Sequence, residues 1–422
     1  MRVLYDIAVL GLGYYQDRAR TGIFRVVENV ARELARTSEV ALEFCASSVP
    51  LSCEEYLRSR VDLARVPLQT TPMCMGLNRL QEAIVRDVAA SKPGWNLWRV
   101  MRGCIGIPME LLRRQIPPLA QAQLKGVEIF HSPFYPFPAA TKRRGRLRRF
   151  LTVYDLIAIL RPDLFEPSVN RLMRNTLASL TPDDWVLCIS EATRKDLLDF
   201  RPDLDPNRVL VTHLAAADHF QPDLREDRWE EVKSTYGLPD QPYLLTLSTL
   251  EPRKNISRVI RCFGKLAAGG KLGDLKLVLV GTKGWMMESI FSELATLGVL
   301  RDRVIITGFV PDQDLAPIYS HAAMFVYPSL LEGFGLPPLE AMQCGVPVIT
   351  SNTSSLPEVV GDAGITVTPT DEAALSDAMS RLYEDADLRQ RLATQARERA
   401  ATFSWRRCAS ETVGAYLRAL GS

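Results

Sequence analysis

The chain has 422 residues, of which 47% are hydrophobic and 24% charged, with a formal net charge of +2. That length exceeds one ordinary core and implies two or three domains. The near-balance of charge gives no global attraction to nucleic acid, and no apolar run is long enough to span a bilayer.

In chain order, "RVLYDIAVL" reads as a first buried strand and not as a signal peptide. "TGIFRVVENVARELAR" follows, a glycine turn opening a helix of 3.6-residue periodicity. "VALEFCAS" is the next strand. Residues 50–126 contain "NRLQEAIVRDVAA", Trp95, Trp98 and "IPMELLRRQIPPLAQAQLKG", read as amphipathic helices that cover the first sheet or form an acceptor-binding or membrane-facing surface. "EIFHS", "RFLTVYDL", "DWVLCIS" and "RVLVTHL" continue the strands, with "EATRKDLLDF" as a helix between them. The run "KRRGRLRR" (142–149) carries six cations and reads equally as a solvated loop or as a surface attracted to phosphate or anionic lipid. Around 218–242 the sequence turns polar and proline-bearing, which places a boundary between domains 1–222 and 223–402. A second series follows: "YLLTLST", "LKLVLVG", "RVIITGF", "MFVYPS", "VPVITS" and "GITVTP", with helices at "NISRVIRCFGKLAA" and "PPLEAMQCG". The alternation predicts two α/β domains, each a doubly wound parallel sheet, facing a central cleft where ligands sit beyond the C-terminal strand ends. The eight cysteines are scattered without a CxxC pair, as expected of free thiols in a reducing cytoplasm.

"EGFGLPPLE" (332–340) fits neither a core strand nor an ordinary surface helix. Gly333 and Gly335 permit unusual backbone and uncover N–H groups, while Pro337 and Pro338 suit a helix's first turn. Glu332 then precedes the loop and Glu340 lies on the helix. Such a helix start attracts anions and the acids accept from hydroxyls, which suits a ligand with both phosphate and sugar.

From "EPRKNISRVI" to "TSSLPEVVGDAG" the chain resembles the donor-binding domain of retaining glycosyltransferases of family 4, which have the GT-B fold. The ordered blocks are "TLEPRKNI", "LVLVGTKGW", "VIITGFVPDQDL" and "VYPSLLEGFGLPPLEAMQCGVPVITSNTSSLPEVVGDAG"; weaker similarity extends over the first domain but not over 50–126. The resemblance implies that Glu340 holds the ribose hydroxyls of a nucleotide sugar, that Glu332 meets the transferred sugar, and that the backbone of Gly333, Phe334, Gly335 and Leu336 meets sugar and phosphate. Arg253 and Lys254 match the diphosphate clamp, while Ser248 stands where many members carry a base. Val310 matches the backbone contact to the nucleobase, and Gly22 the glycine that approaches the donor phosphates. On the acceptor side His131 is a candidate, and Tyr154 stands where many relatives have histidine, so the histidine's role does not transfer. The tail 403–422 resembles the terminal helices that cross back to the first domain.

The resemblance thus implies a metal-independent retaining hexosyltransferase without cofactor. It would be cytoplasmic, with peripheral contact to anionic membrane in view, and would use a nucleotide-sugar donor, GDP-mannose favoured. The acceptor would be a glycan or lipid-linked saccharide, and nucleic acid is no partner. Asp312-Gln313-Asp314 and Asp203-Leu204-Asp205 read as capping or turn acids, not as metal ligands. The rival reading is a nucleotide-sugar-binding regulator or scaffold that does not turn over.

Overall fold

The computed structural model describes residues 1–14, 22–80, 116–142, 145–282, 284 and 288–421. Seven strands, β1 (Arg2–Asp6), β2 (Ala41–Cys45), β3 (Leu68–Gln69), β4 (Ile129–Ser132), β5 (Arg148–Val153), β6 (Trp185–Cys188) and β7 (Val209–Val211), form one sheet in the order β3-β2-β1-β4-β5-β6-β7. Six more, β8 (Tyr243–Leu247), β9 (Lys276–Val280), β10 (Val304–Gly308), β11 (Met324–Tyr327), β12 (Val348–Ser351) and β13 (Ile365–Val367), form a second sheet in the order β10-β9-β8-β11-β12-β13. Every pairing is parallel. Central strands such as β4, β6, β11 and β12 are buried along their whole length, because helices cover both faces.

In each sheet the strand order reverses once, between β1 and β4 and between β8 and β11. A crevice opens there at the C-terminal strand ends. The helix Trp405–Gly421 returns to the first domain, where it packs on the helix Gly22–Arg36, and the ring of Tyr416 lies 4.8 Å from that of Phe150.

The structure departs from the sequence reading in three places. β1 ends at Asp6 rather than running through "IAVL". The Asp6 carboxylate accepts from the N–H groups of Ala8 (2.9 Å) and Ser47 (3.1 Å), which turns the chain directly into the helix Ala8–Tyr14. β3, only two residues long, has no alternation to announce it. The basic run is not one solvated loop, because Arg148 and Arg149 belong to β5. Arg149 donates twice to Asp184, at 2.7 and 2.6 Å, so it is removed from any lipid-facing surface. Arg143 and Arg144, like residues 81–115 of the helical stretch expected between 50 and 126, lie outside the described residues. Among the described residues no helix is long and apolar enough to cross a membrane, and the seven cysteines there are free and buried.

Candidate active site

The second switch point gathers charge. β8 runs out through Ser248 to Glu251 and a tight turn at Pro252–Lys254. Asn255 ends that turn at φ 59° and ties it down by donating to the carbonyls of Pro328 (3.0 Å) and Pro369 (2.8 Å). β11, next to β8, ends at Tyr327, whose loop brings Glu332 over the turn. Lys254 Nζ donates to Glu332 Oε1 at 2.7 Å and to the Tyr327 hydroxyl at 2.6 Å, and that hydroxyl donates to the same Oε1 at 2.9 Å. Arg253 stands 3.0 Å from the other oxygen of Glu332 and donates to Glu251 at 2.6 Å. Burial alone would push the Glu332 carboxyl up, but Lys254 and Arg253 more than offset it and hold it at about 2. Burial draws the Lys254 ammonium down against the pull of Glu332. Tyr327 and Glu251 were not singled out in the sequence, although each lies within a motif block that was.

The loop after Glu332 is held from both domains. From the second domain, Ser354 Oγ accepts the Glu332 N–H at 2.9 Å, and Ser355 Oγ donates to the carbonyls of Glu332 (3.0 Å) and Phe334 (2.8 Å). From the first, Ser190 and Thr193 donate to the Gly333 carbonyl at 2.8 and 3.3 Å. A Cβ at Gly333 would lie 2.4 Å from the Tyr154 carbonyl, so the contact between domains leaves no room for a side chain here. Phe334 is likewise a packing residue, its ring 5.9 Å from Phe403 and 6.2 Å from His213, with only backbone to offer a ligand. Gly335, at φ 112°, starts the helix Leu336–Gln343. Because Pro337 and Pro338 carry no N–H, this helix start offers fewer donors to an anion than expected.

Glu340, on that helix, is 3% exposed. Its Oε1 accepts from Arg25 of the first domain at 3.1 Å and its Oε2 from the Tyr319 hydroxyl at 3.1 Å. Burial pushes its carboxyl up to about 7, even with Arg25 acting to lower it. Gly22 opens the helix that carries Arg25, and a Cβ there would stand 3.7 Å from Leu336. The Val310 side chain is buried. Ser248 is buried too, and its hydroxyl has no hydrogen-bond partner among the described residues. Asp312 and Asp314 do not cap their helix, whose start shows no side-chain cap; Asp312 pairs with Arg25, and Asp314 pairs with Arg228 and accepts from Tyr236.

The two acceptor-side candidates are not in the cleft. His131 is fully buried, bonded to Tyr416 (2.6 Å) and Thr152 (2.8 Å), and burial lowers its imidazole to about 3. The Tyr154 hydroxyl points into the same interior space, beside Tyr5, Thr212 and Cys408, without a hydrogen-bond partner among the described residues. Beside the Tyr154 carbonyl, the side chain that meets the second domain is that of the next residue, Asp155. Its Cβ would lie 3.0 Å from a Cβ at Gly333, its carboxylate accepts from Ile157 N–H at 2.9 Å, and burial pushes its carboxyl up. Among the described residues no three His, Cys, Asp or Glu side chains come together to hold a metal ion.

The family model for glycosyl transferases group 1 matches residues 227–399. Over 290 residues the chain is 33% identical to O-antigen chain mannosyltransferase B of Escherichia coli, spanning 68% of this chain and 74% of that protein. The chain belongs to the group 1 glycosyl transferases. This glycosyltransferase is also 32% identical over 272 residues to the serotype-specific mannosyltransferase WbdA of Escherichia coli, covering 64% of this chain but only 33% of that longer protein. Among solved structures it resembles a glycosyltransferase from Rickettsia africae ESF-5, with a TM-score of 0.65, 17% identity and 99% and 98% of the two chains covered. It also resembles WaaG, a glycosyltransferase involved in lipopolysaccharide biosynthesis, with a TM-score of 0.58, 15% identity and 98% of each chain covered. These likenesses establish the fold as GT-B.

Proposed function

We propose that this glycosyltransferase moves a hexose from a nucleoside-diphosphate sugar, GDP-mannose first among candidates, to a hydroxyl of a glycan or lipid-linked acceptor with retention of configuration. Assembly of a surface polysaccharide in the cytoplasm, with peripheral contact to the membrane that holds a lipid-linked acceptor, is the setting this reading gives it. The mannosyltransferase names of its relatives support the sugar and the pathway class. The observation that carries the reaction type is the buried cluster of Lys254, Arg253, Tyr327 and Glu332 at the second switch point.

The charges divide the work. As the bond from the anomeric carbon to the diphosphate breaks, negative charge grows on the leaving oxygen, where Lys254 and Arg253 stabilise it. Glu332, held at about 2, is too weak a base to take the acceptor's proton. Its two oxygens are also engaged by Lys254, Tyr327 and Arg253, which disfavours attack on the sugar. It therefore orients the sugar and balances positive charge at the anomeric carbon. The acceptor oxygen attacks on the face that the diphosphate leaves, and the departing phosphate oxygen takes the acceptor's proton. Because side-chain cations meet the diphosphate, transfer needs no divalent metal.

The test is transfer from GDP-, UDP-, ADP- and dTDP-sugars in excess EDTA, with the product's anomeric configuration read by NMR. Turnover of GDP-mannose with configuration retained is expected. An inverted product, or strict dependence on added manganese or magnesium, overturns the mechanism. Donor binding without turnover on any acceptor favours the regulator.

A further inference from the structure

The contact between Arg25 and Glu340 joins residues 315 positions apart and crosses from one domain to the other. Arg25 lies in the first turn of the helix Gly22–Arg36, and its guanidinium also pairs with Asp312 at the start of the helix Asp312–Ser320. Its side chain keeps 26% exposure, whereas that of Glu340 keeps 4%. One edge of the pair, on the Arg25 side, thus stays open to solvent while the carboxylate is buried. We infer that Arg25 is a cross-domain positioning residue for the donor: it fixes the Glu340 carboxylate toward the ribose, so that ribose recognition is complete only when both domains contribute. This rests on the reading of Glu340 as the ribose acceptor.

The chemistry behind it is the state of the carboxyl. An ionised carboxylate accepts from two neighbouring hydroxyls, whereas a protonated one must itself donate. Burial brings Glu340 to about 7, and the Arg25 charge, helped by the hydrogen bond from Tyr319, keeps it from rising further. The other groups facing this site are Asp312, which acts to raise it, the Tyr319 hydroxyl, Cys344 just past the end of its helix, and His219, which lies near Asp312 and Arg25. Loss of Arg25 leaves Glu340 protonated over more of the neutral range, and alkaline pH restores the anion.

The experiment is titration calorimetry of GDP and 2′,3′-dideoxy-GDP into wild type, Arg25→Gln, Arg25→Lys, Glu340→Gln and His219→Asn, from about pH 6 to about pH 8.5, the range over which such a carboxyl changes state. Wild type should prefer GDP. Arg25→Gln should lose about tenfold or more of that preference near neutrality, the usual weight of a charge-assisted contact, and regain part of it as pH rises. Dideoxy-GDP binding should hardly change, Arg25→Lys should restore most of the preference, and donor KM should rise far more than kcat falls. If wild type does not bind GDP, or binds both nucleotides equally, the donor reading itself fails and the inference with it. If Glu340→Gln abolishes the preference while Arg25→Gln keeps both it and its pH profile, the inference alone is overturned. An equal loss of both nucleotides in Arg25→Gln, or a pH limb that moves with His219→Asn instead, overturns it too.

Discussion

The two domains contain the same reversal of strand order, and the two crevices it creates hold opposite chemistry. Beyond β8 and β11 stand two cations, two acids and a phenol, joined in one network. Beside β1 and β4 the polar side chains serve the interior: Asp6 turns the chain, and His131 is held by Tyr416 and Thr152. The difference lies in what covers each strand end. The helix Trp405–Gly421 lays Tyr416 over the first sheet, whereas the strand ends of the second are met by the loop carrying Asp155 and by Ser190 and Thr193. Topology supplies two crevices, and tertiary packing decides which one can react.

Removing one charge from the second crevice should have the largest effect. Lys254→Met keeps most of the length of the side chain but not its charge, and should cost about 2.7–4 kcal/mol of transition-state stabilisation, the range for a lost oxyanion donor. Steady-state kinetics on the folded variant reads it as a fall in kcat, and a near-normal kcat would place the chemistry elsewhere.

The first crevice should answer in stability instead. The His131 imidazole is pushed down to about 3 by burial, below its usual unfolded value, so the unfolded chain binds the extra proton. Its contribution is complete above pH ~6.5 and declines as pH falls toward ~3, by about 1.4 kcal/mol per pH unit at most. Denaturant unfolding near neutrality and near pH ~5 should show that slope in wild type and lose this share of it in His131→Gln, whose kcat should stay within about threefold of wild type. An unchanged slope with a collapse in kcat would return His131 to the cleft.

Tyr154→Phe is the smallest effect. Its hydroxyl is buried without a partner among the described residues, so its removal should shift stability by no more than about 0.5–1 kcal/mol, with either sign, and leave kcat/KM unchanged. A large loss of activity would mean that the hydroxyl meets the acceptor after all.

Much of the fold was legible because parallel strands buried on both faces read as short apolar runs, as in "KLVLV" and "MFVY". β3 was not, since two residues carry no pattern, and β1 was overrun because the turn made by Asp6 lies in a side-chain contact. Glu332, Arg253, Lys254 and Glu340 could be named because each sits in a compact local block. Arg25, Ser190, Thr193 and Asp155 could not, because their contacts cross between the domains. The sequence points to Tyr154 and not to Asp155 for a related reason. Neighbouring residues at a strand end face opposite ways, and which of them meets the cleft is settled by a helix at the far end of the sequence.

The most direct test of the central claim is single-turnover sugar transfer by Glu332→Gln, which keeps the size of the side chain and removes its charge. A loss of about two to three orders of magnitude in the transfer rate is expected, with nucleoside-diphosphate affinity within about tenfold of wild type. Transfer at close to the wild-type rate by a variant that still binds the donor would contradict it.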